Sequence, residues 1–283
     1  MMIDVPPPML SEIKKQVEYA LREDVGSGDL TAQLIDAERP ATATVLAREP
    51  AVLCGTAWFE ECFRRLDERI RTSWSVKDGD DVAAGQVVCH LAGPARALLT
   101  GERCALNFLQ TLSGTATVTR SYVDAIRGTR AVIVDTRKTL PGLRLAQKYA
   151  VRCGGATNHR IGLFDAVLIK ENHIAAAGGI GAVMRRVAET IPAGVPVQIE
   201  VESMAQLEEA LACGATMILL DNFTPDAMRD AVRSTAGRAV LEASGGVRLD
   251  QVRAIADTGV DRISIGALTK DVRALDLSMR FAI

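Results

Sequence analysis

The chain has 283 residues, 48% of them hydrophobic and 24% charged, with 23 Gly and 10 Pro, which is the composition of an ordinary globular protein and excludes a disordered or fibrous one. At that length a compact body withdraws roughly three quarters of the unfolded chain's surface from water, enough for one large domain or two smaller ones. The 33 basic and 35 acidic residues sum to −2, which excludes the overall basic footprint of a nucleic-acid or anionic-membrane binder, so any anionic ligand must meet a local basic cluster.

No stretch approaches the run of about 18 apolar residues that a membrane span requires, and the start, MMIDVPPPMLSEIKK, lacks a signal-peptide core. A cytoplasmic protein with neither a nucleic-acid nor a membrane partner is expected. Aromatics are only 4%, so the core should be mostly aliphatic. Six cysteines (Cys54, Cys62, Cys89, Cys104, Cys153 and Cys213) are scattered without a CxxC pair, which suits reduced, buried thiols. Cys153 with His159 and His173 lacks the paired short spacing of a zinc site, and no structural zinc is expected.

Along the chain, residues 1–8 read as a Pro-rich tail. Met9, Ile13, Val17 and Leu21 then recur at helical spacing and predict one amphipathic helix ending before Gly26. Residues 40–113 alternate short β-like runs with turn signals such as KDGDD, around a helical pattern at Trp58–Leu66, and predict a small α+β domain. From about residue 131 the texture changes. The apolar runs Ala131–Thr136, Ala166–Lys170, Val197–Val201, Met217–Asp221, Ala239–Ala243 and Arg262–Ile265 alternate with helical segments, as strands buried on both faces do in parallel βαβ units. A barrel is preferred to a doubly wound sheet. The helix after the first run should start near Thr139 and Pro141 and stop at Gly154–Gly155.

Each of these six runs ends on a polar or glycine signal: Arg137–Lys138, Lys170, Glu200, Asp221, Ser244–Gly245–Gly246 and Gly266. In a parallel barrel all such ends gather at one rim, where barrel enzymes place their catalytic groups and late-strand loops often hold phosphate. Arg137, Lys138, Arg160 and Lys170 would converge there, and their mutual repulsion favours a ligand carrying several negative charges. Glu200 and Asp221, on adjacent strands, could bind a hydrated Mg²⁺, ribose hydroxyls, or both. His159 and His173 flank the third segment, and either substrate contact or a structural hydrogen bond accounts for them.

Taken together, EDVGSGDLTAQLI, GERCALNFLQTLSGTAT, DTRKTLPGLRLAQKYAV, GGATNHRIGLFDAVLIKENHI, IEVES, LLDNF, EASGG and SIGALT resemble the quinolinate phosphoribosyltransferases, in order, from about residue 17 to 274. The resemblance implies an N-terminal α/β sandwich over residues 1–113, rejoined by the tail 273–283, and an incomplete parallel α/β barrel over 114–272. It implies transfer of phosphoribosyl from 5-phosphoribosyl 1-pyrophosphate to quinolinate with decarboxylation, giving nicotinate mononucleotide, pyrophosphate and CO₂. It also implies a homodimer with shared active sites and leaves a hexamer of dimers open.

Carried over position by position, the resemblance puts Arg137, His159, Arg160, Lys170 and His173 around the quinolinate. By the same resemblance Lys138, Glu200 and Asp221 hold the phosphoribosyl donor, with Glu200 and Asp221 also expected to hold its Mg²⁺ through water. Ser244, Gly245 and Gly246 with Gly266 form the 5-phosphate loops, and Thr136, Ile265 and Ala267 complete the substrate-binding set. Arg103, in GERCALN, matches an arginine that reaches the neighbouring subunit's site. Glu200, Asp221, Lys138 and Lys170 are expected to be catalytic. Three rival readings are a sugar-phosphate aldolase or isomerase with a Schiff base on Lys170, a sister group of pyrophosphorylase-like proteins associated with molybdate transport that shares the fold but not the acceptor, and a carrier module built on the biotinyl-like hairpin Val76–Gly93.

Overall fold

The structure, a computed structural model, describes residues 7–282, with side chains from Met9 onward. In chain order its elements are α1 (Pro7–Val25), β1 (Pro40–Ala47), β2 (Ala51–Val52), α2 (Thr56–Leu66), β3 (Arg71–Trp74), β4 (Asp81–Val82), β5 (Val87–Pro94) and α3 (Ala95–Ala125). Then follow β6 (Val132–Val134), α4 (Arg144–Cys153), β7 (Val167–Ile169), α5 (Glu171–Ala177), α6 (Ile180–Thr190), β8 (Val197–Val201), α7 (Met204–Ala212) and β9 (Met217–Asp221). The chain ends with α8 (Pro225–Thr235), β10 (Val240–Ser244), α9 (Val252–Ala256), β11 (Arg262–Ser264), α10 (Ala267–Lys270) and β12 (Leu277–Ala282). These elements divide into two compact units, one of residues 1–120, 139–155 and 268–283, the other of 121–138 and 156–267.

The first unit is an antiparallel sheet in the order β12-β1-β5-β3, packed with helices. Its C-terminal strand pairs Leu277 with Ala47 and Ala282 with Thr42. Met9, Ile13, Val17 and Leu21 of α1 are buried, as their four-residue spacing predicts. The helix starts at Pro7, where a proline suits the first turn; the rest of the Pro-rich tail lies outside the described residues. The core is largely aliphatic, yet its centre is aromatic: Trp58, Phe59 and Phe63 are almost fully buried, with the Phe59 ring 5.0 Å from Phe63 and 5.2 Å from Trp74. Cys54, Asp78 and Cys153 bring their side chains within 4.8 Å of one another. The Asp78 carboxylate is already used there, since it accepts from the Gly55 and Thr56 backbone N–H groups at the start of α2 and from the Tyr149 hydroxyl. All six cysteines are free thiols; five are buried as expected, but Cys213, at the end of α7, is exposed.

Helix α4 begins later than Thr139 and Pro141 predict. Gly142 adopts φ +77, a left-handed turn that delays regular helix to Arg144, and Thr139 accepts a hydrogen bond from the Arg144 side chain instead of capping the helix. Its end at Gly154 agrees with the sequence.

The second unit is a parallel sheet in the order β6-β11-β10-β9-β8-β7, with a helix after most strands. The order returns the last strand to the first, which is barrel closure. A single parallel bridge from Val134 to Thr157 extends the β6 side, and β7 is the other edge, so the barrel is incomplete. Local chemistry sets the strand-to-helix joins. Ser203 accepts from the Gln206 N–H to cap α7, and Thr224 from Ala227 to cap α8, whose first residue is Pro225. The middle residues of β8, β9 and β10 are buried, with the greater exposure at strand ends such as Val240 and Ser244 of β10. Among the described residues no helix is long and apolar enough to cross a membrane.

Candidate active site

The C-terminal ends of the parallel strands surround a cleft of about 310 Å³ lined by Thr136, Arg137, Lys138, His159, Arg160, Leu168, Lys170, Glu200, Leu219, Glu242, Ser244 and Ser264. After β6 the chain passes through fully buried Asp135 to Thr136, whose hydroxyl accepts from the Lys138 N–H at 3.1 Å. The Asp135 carboxylate accepts from Asn158 Nδ2 at 2.7 Å and from the His159 N–H at 2.8 Å. Two successive segments of the rim are thereby held together. The Arg160 guanidinium donates to the Ala166 carbonyl at 3.2 Å. Burial, followed by the nearby charge of Arg137, pushes Arg160 below the usual guanidinium pKa. Two guanidinium groups close enough to perturb each other are a receptor for carboxylate or phosphate.

Lys170, at the end of β7, places Nζ 3.3 Å from Glu200 Oε2. Burial raises the Glu200 pKa above 4.5, Lys170 opposes that rise, and Asp221 and Glu171 add to it. Glu200 and Asp221 are therefore close enough to repel each other. His173 serves α5, its Nδ1 accepting from the Lys170 backbone N–H at 2.9 Å, and it does not line the cleft.

On the next two strands, Asp221 pairs in register with Ser244, and the Asn222 side chain donates to Asp221 Oδ2 at 2.8 Å. Asn222 itself is left-handed, φ +56. Gly245 adopts φ +109 against it, and a Cβ there would overlap Asn222 Oδ1. Only glycine fits. Gly246, φ +55, has open space where its Cβ would point. Ile265 continues the ladder to Val134, and Gly266 lies beneath Lys138, whose Cδ would stand 3.1 Å from a Cβ at that glycine. Ala267 opens α10.

The structure thus gathers Thr136, Arg137, Lys138, His159, Arg160, Lys170, Glu200 and Ser244 around one cleft, with Asp221, Gly245, Gly246, Ile265, Gly266 and Ala267 on strand ends of the same unit. Arg103 lies in the first unit, exposed on α3. Sequence reasoning assigned no role to Glu242, Gln198 or Asp135. Glu242 carried a usable signal, a carboxylate in the middle of the apolar run AVLEA.

Residues 115–280 match the family description "Quinolinate phosphoribosyl transferase, C-terminal domain", and residues 29–113 match the corresponding N-terminal domain. A probable nicotinate-nucleotide pyrophosphorylase [carboxylating] of Bacillus subtilis is 44% identical over 268 residues, 95% of this chain and 93% of that protein. Its Mycobacterium leprae counterpart is 44% identical over 273 residues, 93% and 95% of the two chains. The solved nicotinate-nucleotide pyrophosphorylase of Francisella tularensis superposes with a TM-score of 0.95 at 44% identity, covering 99% of this chain and 98% of that one.

Proposed function

The chain belongs to the quinolinate phosphoribosyltransferase family, and we propose on that basis that it transfers phosphoribosyl from 5-phosphoribosyl 1-pyrophosphate to quinolinate, giving nicotinate mononucleotide, pyrophosphate and CO₂ for NAD biosynthesis. The observation that carries the reading is the cleft itself, lined by the mutually perturbing guanidinium groups of Arg137 and Arg160 and by the Glu200 carboxylate, with the Asp221 charge near enough to act on Glu200.

Quinolinate is a flat pyridine with two neighbouring carboxylates. Arg137 and Arg160 supply planar, bidentate donors for them, and Leu168 and Leu219 supply apolar surface for the ring. Gly246 leaves backbone open to a phosphate, and Lys138 above Gly266 adds a cation on that side. In the transfer, the ring nitrogen forms a bond to ribose C1 while the C1–oxygen bond breaks and its electron pair leaves with pyrophosphate. The developing oxocarbenium charge meets the fixed negative charge of Glu200 and Asp221. The ring nitrogen is then cationic. Loss of CO₂ from C2 leaves its electron pair beside that cation, and a proton completes the product.

The donor set of Glu200 and Asp221 suits Mg²⁺, because two oxygen ligands held close enough to repel each other are stabilised by a hard cation. Bound there with the donor, Mg²⁺ supplies charge neutralisation for the departing pyrophosphate. The homodimer is supported by Arg103, whose guanidinium is exposed on α3 and so available to a second subunit; assembly up to a hexamer of dimers belongs to the same reading. Free thiols throughout suit the cytoplasm.

The test is to incubate the purified protein with quinolinate, phosphoribosyl pyrophosphate and Mg²⁺. Nicotinate mononucleotide, pyrophosphate and CO₂ should form in equal amounts. Release of pyrophosphate without CO₂ would overturn the reading, as would full turnover in excess chelator for the role of Mg²⁺.

A further inference from the structure

Glu242 lies in the middle of β10 at the floor of the cleft, and it is fully buried. One of its oxygens, Oε2, accepts from Gln198 Nε2 at 3.1 Å; the other, Oε1, has no hydrogen-bond partner among the described residues and stands 3.5 Å from His159 Nε2. A buried carboxyl with an idle oxygen is unfavourable unless it serves something.

What it serves follows from hydrogen-bond direction. The Arg160 backbone N–H lies 2.7 Å from His159 Nδ1, and a backbone N–H can only donate. Nδ1 therefore carries no proton, and the proton of the neutral ring is on Nε2. That Nε2–H donates to Gln198 Oε1 at 2.9 Å. The Gln198 amide is then oriented with its Nε2 toward Glu242, where an ionised carboxylate only accepts. Every donor in the series from Arg160 through His159 and Gln198 points inward and ends on Glu242. Both ring nitrogens of His159 are occupied, so the imidazole is neither a general base nor a donor to substrate in this arrangement. Its ring instead holds the backbone of Arg160, whose guanidinium must stay beside Arg137 against like-charge repulsion.

We infer that Glu242, acting through Gln198 and His159, is a positioning residue that fixes Arg160 for recognition of the pyridine dicarboxylate. The inference rests on the functional reading above and deepens it. The relay bears on the acceptor and not on the phosphoribosyl donor. Glu242→Met keeps the length but removes the acceptor, so the Gln198 N–H that ends the series is left without a partner.

The experiment compares Glu242→Met and Gln198→Met with wild type in steady-state kinetics for both substrates, calorimetric binding of quinolinate, and thermal melting. Each variant should raise the quinolinate Kd and KM about tenfold or more, with the KM for phosphoribosyl pyrophosphate within about twofold. The double variant should be little worse than either single one, because both changes break one series. Should Glu242→Met fail to fold, Gln198→Met, which leaves the carboxylate in place, carries the same expectation alone. Unchanged quinolinate binding in the variants overturns the inference, whether or not melting falls, and so does a loss shared equally by both substrates. Failure of the functional reading shows elsewhere, as a wild-type protein that binds no quinolinate.

Discussion

Glu200→Gln separates a catalytic carboxylate from a merely structural one, because the two roles move different measurements. The side chain is 8% exposed, and its one ion-pair partner, Lys170, is 48% exposed at 3.3 Å. A half-exposed lysine released from its partner returns to water, so the lost pair is worth at most about 1 kcal/mol. Against that stands burial of the charge, which outweighs Lys170 and leaves the Glu200 pKa above 4.5. Between 4.5 and the raised value the folded protein keeps a proton that the unfolded chain has released. Wild-type stability therefore falls as pH rises through that window. The amide has no such loss. The melting temperature of Glu200→Gln should equal or exceed that of wild type at neutral pH, and its advantage should grow from acid pH upward and then level off.

Turnover should move the other way. If the carboxylate faces developing positive charge at ribose C1, its neutralisation lowers kcat by on the order of 10²-fold, about 2.7 kcal/mol of transition-state stabilisation. The quinolinate Kd should stay within about twofold, since the arginines remain. Melting curves from acid to neutral pH, stopped-time kcat and calorimetric Kd decide it. A kcat close to wild type with a lower melting temperature would refute the reasoning and leave Glu200 as the partner of Lys170 alone.

Gly245→Ala places a methyl group on Asn222 Oδ1 at a φ of +109, so it should lower the melting temperature and raise the KM for phosphoribosyl pyrophosphate about tenfold or more, with quinolinate binding unchanged; a wild-type donor KM would contradict this. Nicotinate, lacking the second carboxylate, should be a poorer acceptor than quinolinate by about 10²-fold or more in kcat/KM, because it leaves the Arg137–Arg160 pair under-compensated, and comparable turnover would count against the pair. Arg103→Ala and Lys138→Ala should each be inactive yet folded. Mixed with full subunit exchange, they should recover about a quarter of wild-type activity, since half the dimers are mixed and each has one intact site; no recovery would return Arg103 to its own chain.

The rim was legible in the sequence because β-strands buried on both faces are apolar from end to end, so a charge or glycine where the run stops marks the rim. The runs closing on Lys170, Glu200, Asp221 and Ser244 all became parallel strands ending there. Where a helix starts was less legible. Pro141 and Thr139 carry start signals, but the left-handed Gly142 between them and the helix overrides those signals. His173 shows a different limit. Its position beside Lys170 in the motif does not show that its Nδ1 accepts from the Lys170 N–H at the start of α5, a bond that engages Nδ1 and not Nε2. Which unit a segment joins is not local either. Residues 139–155 group with the first unit although the chain on either side belongs to the second.

How a chain of net charge −2 presents a polyanion site is answered beneath the rim. Arg137, Lys138, Arg160 and Lys170 repel one another, and the acids tied to Arg160 and Lys170 are inward on the strands or buried below. Asp135 ties the segment before Arg160 to the end of β6. Glu200 pairs with Lys170 directly. Glu242 reaches the Arg160 backbone through Gln198 and His159. Positive charge is thus concentrated at the rim by negative charge that solvent barely reaches, so the cleft attracts anions without making the chain basic overall. For the same reason composition alone was silent about the ligand, and the sequence spoke only where strand ends could be read one by one.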